Sequence, residues 1–216
     1  MTYTGHVEPR GPAAVRDLAA LSVTKVSVGP MDNNAYLLRC RDTGEQLLID
    51  AANEPDRLLA VIGDGGLATV VTTHRHHDHW FALEDVVDET GARSLAHEAD
   101  AGELPRVSGT LRDGDEVRVG NGALQVIHLV GHTPGSIALL YRDPSGPAHL
   151  FTGDSLFPGG PGRTTNPGDF ASLMNDLETK VFGELPDDTW FYPGHGDDST
   201  IGQQRPALSH WRARGW

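Results

Sequence analysis

Short apolar runs, separated by turns rich in glycine and polar residues, make up most of the chain. Three early runs, VTKVSVG, AYLLRC and QLLID, predict antiparallel strands with hairpin turns at MDNN and at Thr43-Gly44. Later runs predict strands at ATVVTT, SLAH, DEVRVG, LQVIHLV, IALLYR and HLFTGD. Because no long helix separates these later runs, we expect the second half of the chain to be largely antiparallel.

A helical period occurs in three other segments. EPDRLLAVI has Pro55 in its first turn and ends at Gly63, and FALEDVVDETG ends at Gly91. The third segment, DFASLMNDLETKVF, has apolar residues along one helical face, at Phe170, Leu173, Met174, Leu177 and Val181. This pattern predicts helices that pack on a core.

Length and composition favour one large unit. A chain of 216 residues, of which 38% are hydrophobic, can bury a sizeable core. Residues 1–21 mix proline, glycine and charge, and we predict an irregular or partly helical lead-in there. A single domain is predicted over residues 22–216.

The charge balance restricts the partners. The chain has 17 basic and 30 acidic residues, a formal charge of −13, which disfavours nucleic acid. Cys40 is the only cysteine, and no apolar run reaches the roughly 18 residues that a membrane span needs. With no secretory signal in the first residues, we expect a cytoplasmic protein that acts on a small molecule and not at a membrane. No particular oligomeric state is predicted.

Histidine and aspartate are concentrated where strands end. TTHRHHDHW follows the run ATVV, and GHTPGS, FTGDSLF and YPGHG each follow another apolar run. A lone histidine is usually a surface or core residue, but four repeats of the same strand-then-turn pattern favour a shared metal site. In the first cluster His74 and His76 can share one ion because alternate residues point the same way. Asp78 and His79 are adjacent and therefore suit a second ion.

The motifs THRHHDH, GHTPGS, GDSLF, GGPGRT and YPGHGDDSTIG, in this order, resemble the metallo-β-lactamase superfamily and within it the glyoxalase II (hydroxyacylglutathione hydrolase) branch. The resemblance implies a fold of class α/β (α+β), a four-layer αββα sandwich of two mixed β-sheets. It also implies two ions, the first held by His74, His76 and His132 and the second by Asp78, His79 and His195, with Asp154 bridging them. Zinc is the expected metal, with iron or manganese as alternatives.

Two such ions would make a bridging hydroxide available at neutral pH, with Asp78 as the catalytic residue that orients it. A thiolate leaves without a proton donor, so the expected substrate is a thioester, an S-2-hydroxyacyl thiol. Arg163 could bind a substrate carboxylate, and Tyr36 could shape the pocket. The alternatives are a mono-iron persulfide dioxygenase, which shares a GRT sequence, a lactonase of the same fold, or a non-catalytic protein with a structural metal site.

Overall fold

Two β-sheets, built from successive parts of the chain, form the centre of the computed structural model, which describes residues 3–215. The first sheet has its seven strands in chain order. They are β1 (Ala14–Asp17), β2 (Leu21–Val28), β3 (Asn33–Cys40), β4 (Gln46–Ile49), β5 (Thr69–Thr72), β6 (Arg93–His97) and β7 (Gly109–Leu111). Strands β1 to β4 pair antiparallel, whereas β4 to β7 pair parallel, so this sheet is mixed.

The second sheet has six strands in the order β15-β14-β11-β10-β9-β8. They are β8 (Glu116–Val119), β9 (Gly122–His128), β10 (Ile137–Arg142), β11 (Ala148–Gly153), β14 (Trp190–Pro193) and β15 (Ser199–Thr200). A separate small hairpin consists of β12 (Leu156–Phe157) and β13 (Gly160–Pro161). Only β11 and β14 pair parallel in the second sheet, which confirms a largely antiparallel second half.

Helices cover the outer face of each sheet. They are α1 (Pro55–Ile62), α2 (Leu83–Thr90), α3 (Pro167–Asp176), α4 (Ile201–Gln204) and α5 (Leu208–Arg214). Leu58 of α1 and Leu83 of α2 pack with the first sheet, whereas Leu173 of α3 and Trp211 of α5 pack with the second. A third apolar cluster fills the space between the sheets. The predicted αββα sandwich is therefore confirmed.

The pleat explains how one strand serves two cores. Along β3, Leu38 packs between the two sheets while Leu37, the next residue, packs under the helices. Successive side chains of a strand point to opposite faces, so a strand buried on both sides is apolar throughout. This is why the AYLLRC run shows no polar alternation.

Three local predictions differ from the structure. Residues 14–17, predicted as irregular or helical, form the edge strand β1, which takes its pairing from the free edge of β2. Strand β7 was not predicted, because three residues carry too little pattern. The helix predicted from Asp169 begins at Pro167, where the Asn166 side chain accepts from the Asp169 N–H, and becomes π-helical over Leu177–Phe182.

Among residues 3–215, no helix has the length and apolar character to cross a membrane.

Candidate metal centre

The predicted ligand residues all follow the carboxyl ends of strands. His74 comes two residues after β5 of the first sheet, and His132 follows β9 of the second. Asp154 comes directly after β11, and His195 comes two residues after β14. Because β11 and β14 are parallel neighbours, their ends meet at the same edge of the sheet. The cluster therefore lies where the edges of the two sheets meet.

The seven side chains converge into three overlapping groups whose ligand atoms lie within 4.8 Å of one another. These groups are His74, His76 and His132; Asp78, His79 and His195; and His74, His79 and Asp154. The first two groups match the two predicted ligand sets. The third joins them through Asp154, the position expected of a bridging carboxylate.

Ring nitrogens face one another at short distances inside the cluster. His74 Nε2 lies 3.1 Å from His76 Nδ1 and 3.2 Å from His132 Nε2. His79 Nε2 lies 3.3 Å from both His195 Nε2 and Asp154 Oδ1. Asp154 Oδ1 is buried and makes no hydrogen bond within the described part of the chain. Converging nitrogen and carboxylate donors of this kind fit divalent cations.

Asp50, which follows β4, orients two of the histidines from outside the cluster. Its Oδ2 accepts from His79 Nδ1 at 2.8 Å and from the Thr73 hydroxyl at 2.8 Å. The Thr73 oxygen can in turn accept from His74 Nδ1, 3.0 Å away. With Nδ1 protonated in both rings, the Nε2 lone pairs of His74 and His79 point into the cluster.

Backbone carbonyls orient two more rings in the same way. His132 Nδ1 donates to the Arg163 carbonyl at 2.6 Å, and His195 Nδ1 donates to the Met31 carbonyl at 2.9 Å. Each contact leaves Nε2 as the free donor atom. Only His76 turns Nδ1 inward. The cluster thus has the tautomers that metal ligation requires.

Electrostatics divide the cluster into two halves. Burial lowers the pKa of His74, His76 and His132, which keeps these rings neutral and able to bind a cation. Burial also acts to lower the pKa of His195, but hydrogen bonds to Asp154 and Asp78 outweigh it and raise that pKa to about 9. A cation at the second group must displace this proton, so its affinity should rise with pH.

Several supporting residues were not predicted from the sequence. Asn33 Nδ2 donates to Asp78 Oδ2 at 2.8 Å, and Asp100, fully buried, accepts from the Thr133 hydroxyl and from the Gly135 and Arg75 N–H groups. Asp100 thus ties the loop of His132 to that of His76. Of these residues and Asp50, only Asp50 carried a signal, as an acidic residue directly after a buried strand.

The two predicted substrate residues lie in different surroundings. Tyr36 is 2% exposed, packs between the sheets and donates its hydroxyl to the Pro193 carbonyl at 2.6 Å. It supports the strand before His195 and offers no surface to a substrate, so the prediction that Tyr36 binds substrate is wrong. Arg163 is exposed and lines a cavity beside His132. His77 is exposed, as predicted.

Comparison with known proteins gives a family match over most of the chain. The sequence profile of the metallo-beta-lactamase superfamily matches residues 28–195. A hydroxyacylglutathione hydrolase from Polaromonas sp. is 36% identical over 165 residues, which cover 76% of this chain and 62% of that protein. The hydroxyacylglutathione hydrolase GloC from Haemophilus influenzae is 32% identical over 76% of this chain and 86% of its own length.

Solved structures share the architecture. ETHE1 from Myxococcus xanthus superposes with a TM-score of 0.78 at 30% identity, covering 88% of this chain and 84% of that one. TTHA1623, crystallised in a di-iron-bound form, gives a TM-score of 0.70 at 32% identity and covers 84% of this chain and 96% of its own.

Proposed function

The chain belongs to the metallo-beta-lactamase superfamily, in its glyoxalase II-like branch, and from this premise we propose that it is a binuclear metallohydrolase that cleaves a thioester. The proposal depends above all on one observation, the convergence of seven donor side chains in two triads joined by Asp154. The similarity to hydroxyacylglutathione hydrolases supports an S-2-hydroxyacyl thiol as the substrate class.

We assign the first ion to His74, His76 and His132, and the second to Asp78, His79 and His195. Asp154 would bridge the two. When bound, a pair of divalent ions lowers the pKa of water toward about 7, which provides a nucleophile at neutral pH. Zinc suits these ligands, and the di-iron-bound relative makes iron the main alternative.

The protein's own residues would position that water. Hydrogen bonds from His195 and Asn33 hold the pKa of the Asp78 carboxyl well below its usual range, although burial opposes them. Asp78 is therefore a carboxylate at neutral pH and can accept a hydrogen bond from the attacking water. A thiolate with a pKa near 8.5 departs without a proton donor, which favours thioesters over amides.

The chain spans 62% of the length of the Polaromonas relative, so the substrate of that whole protein is carried over only as a proposal. The match to 86% of GloC supports a compact form of the same activity.

A mono-iron persulfide dioxygenase is the second candidate. The sequence Gly162-Arg163-Thr164 beside His132 favours it, and the similarity to ETHE1 leaves it open. The two functions differ in metal content and in the need for oxygen.

One panel of assays separates the candidates. Purified protein should contain two zinc or iron ions per chain and hydrolyse S-2-hydroxyacyl thioesters, with free thiol as the measured product. Oxygen consumption with a glutathione persulfide and one iron per chain would instead establish the dioxygenase. Turnover of acyl-homoserine lactones without thioesters would establish a lactonase.

Replacing Asp78 tests the assigned catalytic residue. Asp78→Ala should reduce kcat by about a hundredfold or more, because it removes a second-ion ligand and the acceptor for the attacking water. Metal analysis should show loss of one ion while the circular dichroism spectrum stays unchanged. The control is Asp64→Ala, which removes an exposed carboxylate between α1 and β5. Undiminished turnover in Asp78→Ala would refute the assignment.

A further inference from the structure

A cavity of about 380 Å³ lies beside the metal centre and contains none of its seven ligands. Its walls come from the loop after β13 and from the end of α5. The lining residues are Pro161, Gly162, Arg163, Thr164, Phe170, Arg214 and Gly215.

The cavity and the metal centre share a wall. The Arg163 carbonyl accepts the His132 Nδ1 proton at 2.6 Å, and a Cβ atom added to Gly162 would come 3.4 Å from the same nitrogen. The opposite nitrogen of that ring, Nε2, faces His74 and the first ion position. One imidazole ring therefore separates the cavity from the predicted reaction centre.

The charge of the cavity is unlike that of the chain. Two guanidinium groups, those of Arg163 and Arg214, line it, and no acidic side chain does. Among residues 3–215 neither arginine has an acidic partner, whereas nearby Arg212 pairs with Glu178 at 2.7 Å. In a protein of formal charge −13, this makes the cavity a local site of positive potential.

We propose that this cavity binds an anionic group, a carboxylate or a phosphate, on the substrate at a distance from the bond that is cleaved. The proposal rests on the thioester hydrolase function and names its substrate class, an acidic thioester. The planar guanidinium fork matches both anions, and Phe170 supplies an apolar wall for the chain between the anion and the thioester.

Arg214→Gln tests the proposal with three thioesters that share one acyl group. Their thiol parts end in a carboxylate, in a phosphate or in a neutral amide. A charge-assisted hydrogen bond contributes about 1.5–3 kcal/mol, so kcat/KM for a bound anion should fall about tenfold or more. The loss should appear in KM, with kcat nearly unchanged, and the neutral thioester should be unaffected. The anion that shows the larger loss identifies the natural group.

Arg118→Gln is the matched control, because Arg118 is exposed on β8 and its loss changes the net charge equally. Equal effects of the two variants would reduce the result to long-range charge and overturn the proposal. An equal loss for the neutral thioester in Arg214→Gln would also overturn it. Hydrolysis of all three thioesters at the same kcat/KM by the unaltered protein would reject the cavity site but leave the proposed function intact. Failure to hydrolyse any thioester would reject both.

Discussion

Gly194, the residue before His195, occupies a position where only a hydrogen atom fits. A Cβ atom there would lie 2.1 Å from Asp154 Oδ1 and 2.7 Å from His79 Cε1. Both neighbours belong to the metal centre, and neither can move without losing its place in a ligand group. The glycine therefore allows the backbone of one ligand loop to pack directly against the bridging carboxylate.

Gly194→Ala should for this reason abolish binding of at least one ion and lower kcat/KM by about a hundredfold or more, while the fold persists. Metal stoichiometry and hydrolysis rate are the two measurements. Gly102→Ala serves as the control, since a Cβ at Gly102 meets no atom within 4 Å. Normal metal content in Gly194→Ala would contradict the geometry.

His149, on β11, makes the stability depend on pH away from the metal centre. It is 1% exposed, its Nδ1 lies 2.9 Å from the Tyr192 hydroxyl, and its Nε2 has no partner among residues 3–215. Burial, aided by the charge of Arg16, lowers its pKa from 6.5 to about 4. The unfolded chain therefore takes up this proton first as the pH falls, and stability is lost between about pH 6.5 and pH 4.

From pH 7 to pH 5 the protein should lose about 2 kcal/mol of unfolding free energy relative to His149→Leu. Urea unfolding of both proteins in the presence of a chelator measures this difference. Lost packing alone would give the same difference at both pH values, so a pH-independent gap would refute the prediction.

Side-chain chemistry was predictable at the ligand residues but less so around them. The spacing of His74, His76, Asp78 and His79 is local, and metal ligation needs these residue types, so the sequence alone nominates them. Asn33 and Asp100 act on partners far along the chain, and a single sequence contains no sign of such a pairing. Tyr36 was misassigned because its hydroxyl partner is a backbone carbonyl more than 150 residues away.

At the level of elements, the loop between β14 and β15 carries His195 and is held by a buried ion pair. Lys25 Nζ of β2 donates at 2.7 Å to the carbonyl oxygens of Gly5 and Gly196 and to Asp198 Oδ1, and both charged side chains are fully buried. Asn34 of β3 also donates to the Gly196 carbonyl, at 2.9 Å. The loop is thus attached to the first sheet although its own strands lie in the second.

Lys25→Met should destabilise the protein by about 3–5 kcal/mol, because it leaves the Asp198 carboxylate buried without its partner. The double variant Lys25→Met/Asp198→Asn should regain most of that stability, yet hold the second ion more weakly, since the contact to Gly196 is still missing. Urea unfolding and metal titration separate the two effects. Unchanged affinity for both ions in the double variant would show that the ion pair does not position His195.

The same scale shows why most elements could be predicted and a few could not. Strands β2 to β6 and helices α1 and α2 carry clear apolar patterns and end at turn residues, so their sequences suffice. Strand β1 exists because β2 offers an unpaired edge, which is a tertiary effect. The π-helical turns after α3 leave the apolar stripe in place, and Phe170, Leu173 and Leu177 are buried as the stripe predicts.

For the whole molecule, the ligand groups link the two sheets. His74 to His79 follow β5 of the first sheet, whereas His132, Asp154 and His195 follow strands of the second. Ions that bind both sets should stabilise the folded state by about 4 kcal/mol each at a thousandfold excess over Kd. Chelation should therefore lower the melting temperature.

Chelation should also increase hydrogen exchange at the edge where β5, β11 and β14 end, and leave the hairpin of β8 and β9 unchanged. Hydrogen-exchange mass spectrometry with and without chelator measures this pattern. Exchange that rises equally in all strands would mean that the ions stabilise the molecule without a local link between the sheets.

A bridge of this kind makes the metal supply of the surroundings a determinant of protein lifetime. Molecules made when ions are scarce would open at one edge more often and meet proteases sooner, whether or not substrate is present. Abundance and activity would then respond together to the same nutrient.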